Sequence, residues 1–184
     1  MRVIAGSAKG RKLQSPKDYD GTRPILGRAK VALFDILQPR LPDARFLDLF
    51  AGVGGVGIEA ASRGAAHCVF VELAERPLRD LKANLENTGL ASVAETVRGD
   101  ALAYVASSQS SFDVVFAAPP QWQELWSQAV LAVDAHPEVL ADDGLLVVQL
   151  DPREYHDLSL ENLALARQRR YGNVLFCFYE AAAR

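Results

Sequence analysis

The sequence has little of what would mark it as a secreted, membrane or fibrous protein. It has two cysteines in 184 residues, Cys68 and Cys177, far apart in apolar strand-like segments, so we expect buried thiols and neither a disulfide framework nor a cysteine metal site. Its longest apolar runs, such as 114–120, fall far short of the roughly 20 residues that a membrane helix needs. No long apolar segment follows Met1, so we expect no signal peptide and a cytoplasmic protein.

The net charge is also small, because 20 basic and 23 acidic side chains give only −3. Residues 1–40, however, carry nine Lys or Arg and three acids, a net charge of +6, whereas the remaining 144 residues carry 11 basic and 20 acidic side chains, a net charge of −9. This asymmetry favours a basic arm that meets phosphates, although chance clustering on a solvated surface gives the same pattern. We therefore divide the chain into a basic extension, 1–40, and a main domain, 41–184.

Short apolar segments alternate with amphipathic ones from residue 45 onward. Strands are predicted at 45–50, 68–72, 93–97, 113–117 and 145–150, and helices at 56–63, 75–87, 100–106 and 125–133. Further expected elements are a hairpin of 2–5 with 11–13, a helix over 27–37, a turn at 142–144, and a final antiparallel pair, 163–169 with 173–179. The alternation predicts an α/β fold whose parallel sheet has helices on both faces and binds ligands at the carboxyl ends of its strands.

A glycine-rich loop follows the first predicted strand. Gly52, Gly54 and Gly57 match the pattern G-x-G-x-x-G between a strand and a helix, where the missing side chains let the backbone approach a ligand closely. The loop by itself is compatible with NAD, FAD or S-adenosylmethionine.

Three acidic side chains are expected around this loop. Asp48 lies in the first strand, where a carboxylate repels a pyrophosphate but suits the ammonium of a methionine group. Glu72 ends the second strand and can accept both ribose hydroxyls, and Asp100 follows the third strand and can accept an adenine amino proton or cap a helix. An acidic rim favours S-adenosylmethionine over a dinucleotide, and we expect Phe50 and Ala101 to complete the cofactor site.

The segment after the fourth strand, Ala118-Pro119-Pro120, predicts a second part of the site. Two consecutive prolines give a rigid, extended backbone without amide donors, and its carbonyl groups are available to accept hydrogen bonds from an exocyclic amine. Trp122 is placed to stack on a base, whereas Trp126 is expected to pack in the core. The predicted catalytic residues are Ala118, Pro119, Pro120 and Trp122.

Further motifs are spread over nearly the whole chain. They include Arg2-Val3-Ile4-Ala5-Gly6, Thr22-Arg23-Pro24, Leu47-Asp48-Leu49-Phe50-Ala51-Gly52, Phe70-Val71-Glu72 and Arg169-Arg170-Tyr171-Gly172-Asn173. In these motifs the chain resembles the RsmD-like methyltransferases, which methylate the exocyclic N2 of a guanine in 16S ribosomal RNA. The resemblance implies a class I S-adenosylmethionine-dependent methyltransferase, with a Rossmann-like, seven-stranded, mostly parallel sheet whose last strand is antiparallel. It also implies that the basic extension holds RNA, and the expected contacts are Lys9, Arg11, Lys12, Arg23 and Arg28.

The chain departs from this family in one motif. The family usually carries Asp or Asn, then Pro-Pro, then Tyr or Phe after the fourth strand, whereas this chain has Ala118-Pro119-Pro120-Gln121. The side-chain acceptor for the target amine is missing, and the aromatic Trp122 comes one position late. Losing one charged hydrogen bond costs about 1.5–3 kcal/mol, roughly a tenfold to hundredfold loss in rate. Two alternatives stay open: a guanine-N2 methyltransferase, and a weakened or inactive relative that binds cofactor and RNA in ribosome assembly.

Other classes of function fit the sequence less well. A methyltransferase for a small molecule or a protein leaves the basic arm unexplained, and a dinucleotide-dependent oxidoreductase conflicts with the acidic rim. His67, His136 and His156 occur singly, without metal-ligand spacing, so we expect no metal. We expect a monomer that meets no membrane and whose partner is 16S rRNA in the small ribosomal subunit or an assembly intermediate.

Overall fold

The computed structural model describes residues 1–15 and 27–182 and is built around one seven-stranded sheet. The strands are β1 (Arg45–Asp48), β2 (His67–Glu72), β3 (Ala94–Arg98), β4 (Phe112–Ala117), β5 (Leu140–Leu150), β6 (Leu163–Tyr171) and β7 (Val174–Ala181). The helices are α1 (Gly27–Leu37), α2 (Gly57–Ser62), α3 (Glu75–Thr88), α4 (Ala101–Ser107) and α5 (Leu125–Ala135). Short 3₁₀ turns lie at Gln38–Arg40, Ala91–Val93 and Pro137–Val139.

The strand order across the sheet is β3-β2-β1-β4-β5-β7-β6. The first five strands in this order pair in parallel, and β7 pairs antiparallel with both β5 and β6. The predicted mostly parallel sheet with an antiparallel last strand is therefore confirmed. Because β1 and β4 are neighbours without being consecutive, the direction of sheet growth reverses between them, and ligands in open α/β sheets bind at such a reversal.

Hydrophobic clusters cover both faces of the sheet, as the alternation predicts. Side chains of β1 alternate between them, so that Phe46 packs under α1, α2 and α3 while Leu47 packs under α4 and α5. Cys68 and Cys177 are fully buried free thiols in these clusters, which confirms the expectation for both. Burial raises the pKa of Cys68 to about 12 and that of Cys177 to about 11, so neither is a reactive thiolate.

The extension packs onto the main domain. The expected hairpin is reduced to one antiparallel bridge between Arg2 and Lys12, because residues 1–15 bond mainly to neighbouring helices and only a few hydrogen bonds join the two segments to each other. Helix α1 has the predicted bounds, and Phe34 on it is fully buried against the sheet. The boundary at residue 40 stays a prediction, and Arg23 lies outside the described residues.

Strand β5 differs from its prediction. The expected turn at 142–144 is a bulge inside the strand, which begins at Leu140 instead of Leu145. Leu140 still pairs with Phe112 of β4, so the turn-forming residues are looped out between two paired segments, with Asp143 at φ +60°. Across residues 1–15 and 27–182, no helix has both the length and the apolar character to cross a membrane.

Candidate active site

The glycine-rich loop lies over the reversal between β1 and β4. The Leu49 amide donates to the Phe116 carbonyl of β4 (2.9 Å), and the Ala51 amide donates to the Val71 carbonyl of β2 (3.0 Å). The loop therefore begins at the carboxyl ends of three neighbouring strands, where the sequence predicted the ligand site.

Asp48, at the end of β1, is buried beneath this loop. Its Oδ2 atom accepts a hydrogen bond from the Gly57 amide (3.0 Å), which fixes the start of α2. Burial raises the pKa of Asp48 to about 7; the Gly57 hydrogen bond opposes this shift and the charge of Glu72 adds to it. A cationic ligand group beside Asp48 would favour its ionised form.

Glu72, at the end of β2, holds two pieces of backbone. Its Oε2 atom accepts a hydrogen bond from the Gly52 amide (2.8 Å), and its Oε1 atom accepts one from the Ala74 amide (2.7 Å) just before α3. Each carboxylate oxygen can accept more than one hydrogen bond, so Glu72 can position the loop and still bind hydroxyl groups. Asp48 and Glu72 are thus brought to one site as predicted.

The three glycines of the motif have different surroundings. A Cβ atom on Gly52 (φ +54°) would meet nothing within 4 Å, whereas one on Gly54 would lie 2.4 Å from Leu81 Cδ1 and one on Gly57 2.3 Å from Phe70 Cε1. Gly52 therefore faces open space at the site, while Gly54 lets side chains of α2 and α3 pack against the loop and Gly57 lets α2 pack against β2. A cofactor contact by Gly54 stays a prediction, since its surroundings already explain the glycine by packing.

The third acidic residue, Asp100, is exposed and caps α4. Its Oδ1 atom accepts a hydrogen bond from the Ala103 amide (2.9 Å), and the adjacent Ala101 is buried. Phe50 is half-buried against the cluster under α4 and α5. Leu73, which directly follows Glu72 and is 66% exposed, is an apolar residue at this edge that the sequence analysis did not single out. An apolar residue between a strand-ending acid and a helix start is the pattern that could have drawn attention to it.

The segment after β4 leads from the buried strand into the loop before α5. Ala118 is half-buried and Pro119 buried, and within the described residues no hydrogen bond uses the carbonyl oxygens of Pro119 or Pro120. Trp122 is 59% exposed, whereas Trp126 is buried and stacks on Tyr155 with ring centroids 5.8 Å apart, so its predicted core position is confirmed. The site thus presents free carbonyl acceptors beside one exposed aromatic ring.

The basic residues of the extension divide into two groups. Four side chains expected to contact RNA are exposed, namely Lys9, Arg11, Lys12 and Arg28. Lys30 instead is buried and forms an ion pair with Glu59 of α2 (2.9 Å). Glu59 also accepts hydrogen bonds from the Ile4 (2.8 Å) and Ala5 (2.9 Å) amides, so this buried pair fastens the extension to the helix that follows the glycine-rich loop.

The three histidines each lie beside a single acid. His67 contacts Glu95, His136 contacts Glu138, and His156 contacts Glu124 at distances of 3.5, 3.3 and 3.1 Å. In the described part of the chain, no group of three or more His, Cys, Asp or Glu side chains is arranged to hold a metal ion.

Comparisons with known proteins span nearly the whole chain. Residues 1–180 match the family described as Conserved hypothetical protein 95. The ribosomal RNA small subunit methyltransferase D of Escherichia coli (strain K12) is 32% identical over 183 residues, which cover 100% of this chain and 91% of that protein. The Bacillus subtilis (strain 168) protein YlbH is 35% identical over 183 residues, which cover 98% of each chain.

Solved structures agree with these matches. The Escherichia coli protein yhhF superposes with a TM-score of 0.86 at 32% identity, covering 100% of this chain and 99% of that chain. A hypothetical protein of Thermus thermophilus, TTHA0928, superposes with a TM-score of 0.80 at 34% identity, covering 98% and 99%. Since sequence and structure match from end to end, the chain belongs to the Conserved hypothetical protein 95 family, the RsmD family that its motifs resemble.

Proposed function

We propose that this protein transfers a methyl group from S-adenosylmethionine to the exocyclic N2 of a guanine in 16S rRNA of the small ribosomal subunit. The observation that carries the proposal is the meeting, at one edge of the sheet, of an acidic loop site and the free carbonyls of Pro119 and Pro120. A relative that is 32% identical over the full chain is named a ribosomal RNA small subunit methyltransferase, which supports the same substrate class.

The residues at this edge suit S-adenosylmethionine better than a dinucleotide. Gly52 leaves open space for a ligand, Asp48 can pair with an ammonium group, and Glu72 can accept ribose hydroxyls. Leu73 offers an apolar surface to an adenine ring, and Asp100 keeps a carboxylate beside it. When bound, S-adenosylmethionine supplies a methyl group on a positively charged sulfur.

The segment after β4 orients the target amine. The carbonyl oxygens of Pro119 and Pro120 accept its N–H hydrogens, which directs the nitrogen toward the cofactor site. The guanine must leave its RNA context to reach the site. The exposed Trp122 then stacks on the extruded base. The amine loses its proton readily after transfer, so the protein contributes mainly positioning.

The exposed basic side chains of the extension hold the RNA backbone. Lys9, Arg11, Lys12 and Arg28 supply positive charge on the same polypeptide segment that is fastened to α2 by Glu59. Arg23 belongs to the same proposed interface by sequence alone. Action on the small ribosomal subunit or an assembly intermediate implies a cytoplasmic location, and we propose that the protein acts as a monomer, without metal.

Methyl transfer to unmodified ribosomal subunits tests the proposal directly. Purified protein and labelled S-adenosylmethionine are incubated with small subunits that lack the modification, and the labelled nucleoside is identified. We expect N2-methylguanosine. Cofactor binding without any transfer would overturn the enzymatic proposal, and transfer to another nucleoside would overturn the target atom.

The absence of a side-chain acceptor at Ala118 favours a second candidate function. Such a protein would bind cofactor and RNA in ribosome assembly without useful catalysis. Ala118→Asp separates the two candidates, since restoring the missing acceptor should raise a weak methyl-transfer rate by about tenfold or more. A protein that binds S-adenosylmethionine and RNA but stays inactive in both forms fits the second candidate.

A further inference from the structure

The loop between β4 and α5 has an unusual backbone. Trp122 has φ +64° and Glu124 has φ +56°, in the left-handed region that side chains other than glycine rarely adopt. Such conformations persist where surrounding contacts hold them, and they concentrate at functional sites. The contacts around this loop therefore identify what keeps the Trp122 ring in place.

Those contacts come from the segment Asp151–His156, which follows β5. The Trp122 amide donates a hydrogen bond to Glu154 Oε1 (2.6 Å), and His156 Nε2 lies 3.1 Å from Glu124 Oε2. The Arg153 guanidinium lies over the Trp122 ring, 4.8 Å from its centroid. The backbone and the ring of Trp122 are thus both held by the segment Asp151–His156.

Arg153 is itself fixed. Its Nε and Nη2 atoms donate to the two carboxylate oxygens of Asp151, each at 2.9 Å, and Asp151 is buried. The hydrogen bond from Arg153 lowers the pKa of Asp151 to about 2, so the pair stays charged at physiological pH. Trp122 as a whole residue is 59% exposed although the Arg153 guanidinium lies over its ring, which leaves surface for a ligand.

Two further arginines, Arg169 and Arg170, lie near the end of β6. Tyr171, the last residue of β6, pairs with Val174 of β7, and Arg170 pairs with Leu175. Leu175 in turn pairs with Leu150 at the end of β5. Arg170 therefore lies at the same edge of the sheet as the carboxyl end of β5. Within the described residues, the guanidinium hydrogen bonds of Arg170 and of the neighbouring Arg169 go to backbone carbonyls rather than carboxylates. Both exposed cations are therefore available to phosphates.

We propose that Arg153 and Glu154 are positioning residues for methyl transfer, because they hold Trp122, the stacking residue of the proposed function, in place. This inference rests on the proposed function. Gln121 stands where related motifs carry Tyr or Phe, and the segment after β5 holds the next residue's indole at the site instead. A planar ring with a guanidinium on its far face favours stacking by a nucleobase on the open face.

The first test is the effect of the variants on methyl transfer. Trp122→Ala should lower kcat/KM about tenfold to a hundredfold, and Trp122→Phe much less, with unchanged affinity for S-adenosylmethionine. Arg153→Ala and Glu154→Ala should each lower kcat/KM about three- to tenfold. Arg153→Lys and Glu154→Gln should restore much of the loss, because they keep the cation and the acceptor oxygen. Arg45→Ala is the matched control, since Arg45 also covers an aromatic ring, Phe112, but at the opposite edge.

The second test is tryptophan fluorescence, which needs no catalysis. A guanine-containing single-stranded RNA should quench the emission of the parent protein but not that of Trp122→Phe, and Arg153→Ala should weaken the quenching. If the parent protein transfers no methyl group, the proposed function fails and the quenching alone decides this inference. The inference would be overturned by active protein with unchanged kcat/KM in Trp122→Ala or in both Arg153→Ala and Glu154→Ala, and equally by quenching that persists in Trp122→Phe.

Discussion

At the scale of single residues, Asp48 carries a carboxyl group whose charge the folded protein alone does not favour. It is buried beneath the glycine-rich loop and accepts a hydrogen bond from Gly57. Burial raises its pKa to about 7, so a large fraction is protonated near neutral pH. A neighbouring ammonium stabilises the ionised form, which links cofactor binding to proton release from this residue.

Asp48→Asn should stabilise the cofactor-free protein at about pH 8 more than at about pH 5. Because the folded-state pKa lies above the ordinary value of 3.8, the stability contributed by the protonated form is full below about pH 4 and is lost as pH rises through 7. One pKa unit corresponds to about 1.4 kcal/mol, which sets an upper limit of roughly 4 kcal/mol. Urea denaturation at both pH values measures the difference, and S-adenosylmethionine affinity should fall in the same variant.

Asp113→Asn is the control for this experiment, because Asp113 also accepts a backbone hydrogen bond, from the Arg45 amide (2.8 Å), but lies at the other edge of the sheet. Comparing the two variants separates the effect of the buried site from that of removing any carboxylate that accepts a backbone hydrogen bond. If Asp48→Asn gained the same unfolding free energy at both pH values, the raised pKa of Asp48 would be contradicted.

Substitutions of the motif glycines should separate an effect on folding stability from an effect on ligand binding. Gly57→Ala places a Cβ 2.3 Å from the Phe70 ring and should destabilise the fold by about 1–3 kcal/mol. Gly52→Ala meets no atom and costs about 1–2 kcal/mol for its left-handed backbone, but its methyl group enters the open site and should weaken S-adenosylmethionine binding. Thermal melting and calorimetric titration measure the two effects. Unchanged affinity in Gly52→Ala would remove Gly52 from the cofactor site.

At the scale of elements, Asn84 of α3 joins the extension to the glycine-rich loop. This side chain is fully buried, and its Nδ2 atom donates to the carbonyls of Val53 (2.9 Å) and Gln14 (3.0 Å). Its Oδ1 atom accepts a hydrogen bond from the Gln14 amide (2.7 Å). One side chain therefore satisfies backbone groups of two segments that serve the two proposed ligands, RNA and cofactor.

Asn84→Ala should loosen the loop as well as the extension. Unsatisfied carbonyl and amide groups at Val53 and Gln14 should cost about 2–4 kcal/mol of stability. We also expect faster hydrogen exchange over residues 51–57 and weaker S-adenosylmethionine binding, although Asn84 is not placed in the cofactor site. Asn87→Ala is the matched control, because among the described residues Asn87 donates only to the Lys12 carbonyl (2.9 Å). Equal exchange at 51–57 in both variants would show that Asn84 does not hold the loop.

Local sequence patterns predicted most elements but not their contacts. Helix α1 and the Asp100 cap follow from apolar spacing and capping chemistry, which act within a few residues. The bulge in β5 could not be predicted from these patterns. Asp142-Asp143-Gly144 has the composition of a turn, and only pairing with β4 keeps it inside a strand. The contact between Arg153 and Trp122 could not be predicted from local patterns either, because it joins segments that follow two different strands.

At the scale of the whole molecule, the positive charge available to RNA is smaller than the sequence suggests. Lys30 contributes to the net charge of +6 of residues 1–40, but it is buried against Glu59. Burial lowers the pKa of Lys30, and the Glu59 carboxylate opposes that shift. The exposed cations of the described extension include Arg2, Lys9, Arg11, Lys12 and Arg28, on a body that is otherwise acidic. Phosphates should therefore be drawn to the extension and to the exposed Arg169 and Arg170, and repelled by the acidic remainder of the surface.

Replacing Lys9, Arg11 and Lys12 together by Gln should weaken RNA binding and flatten its dependence on salt. Each lost phosphate contact reduces the slope of log K against log salt concentration by about 0.7–0.9, so the slope should fall by roughly 2–3. Filter binding between about 50 and 200 mM salt measures it. Arg45→Gln removes an exposed cation at the amino-terminal edge of the sheet and should leave the slope unchanged. An unchanged slope in the triple variant would exclude Lys9, Arg11 and Lys12 from the RNA interface, since counterion release depends only on the phosphates that a surface neutralises.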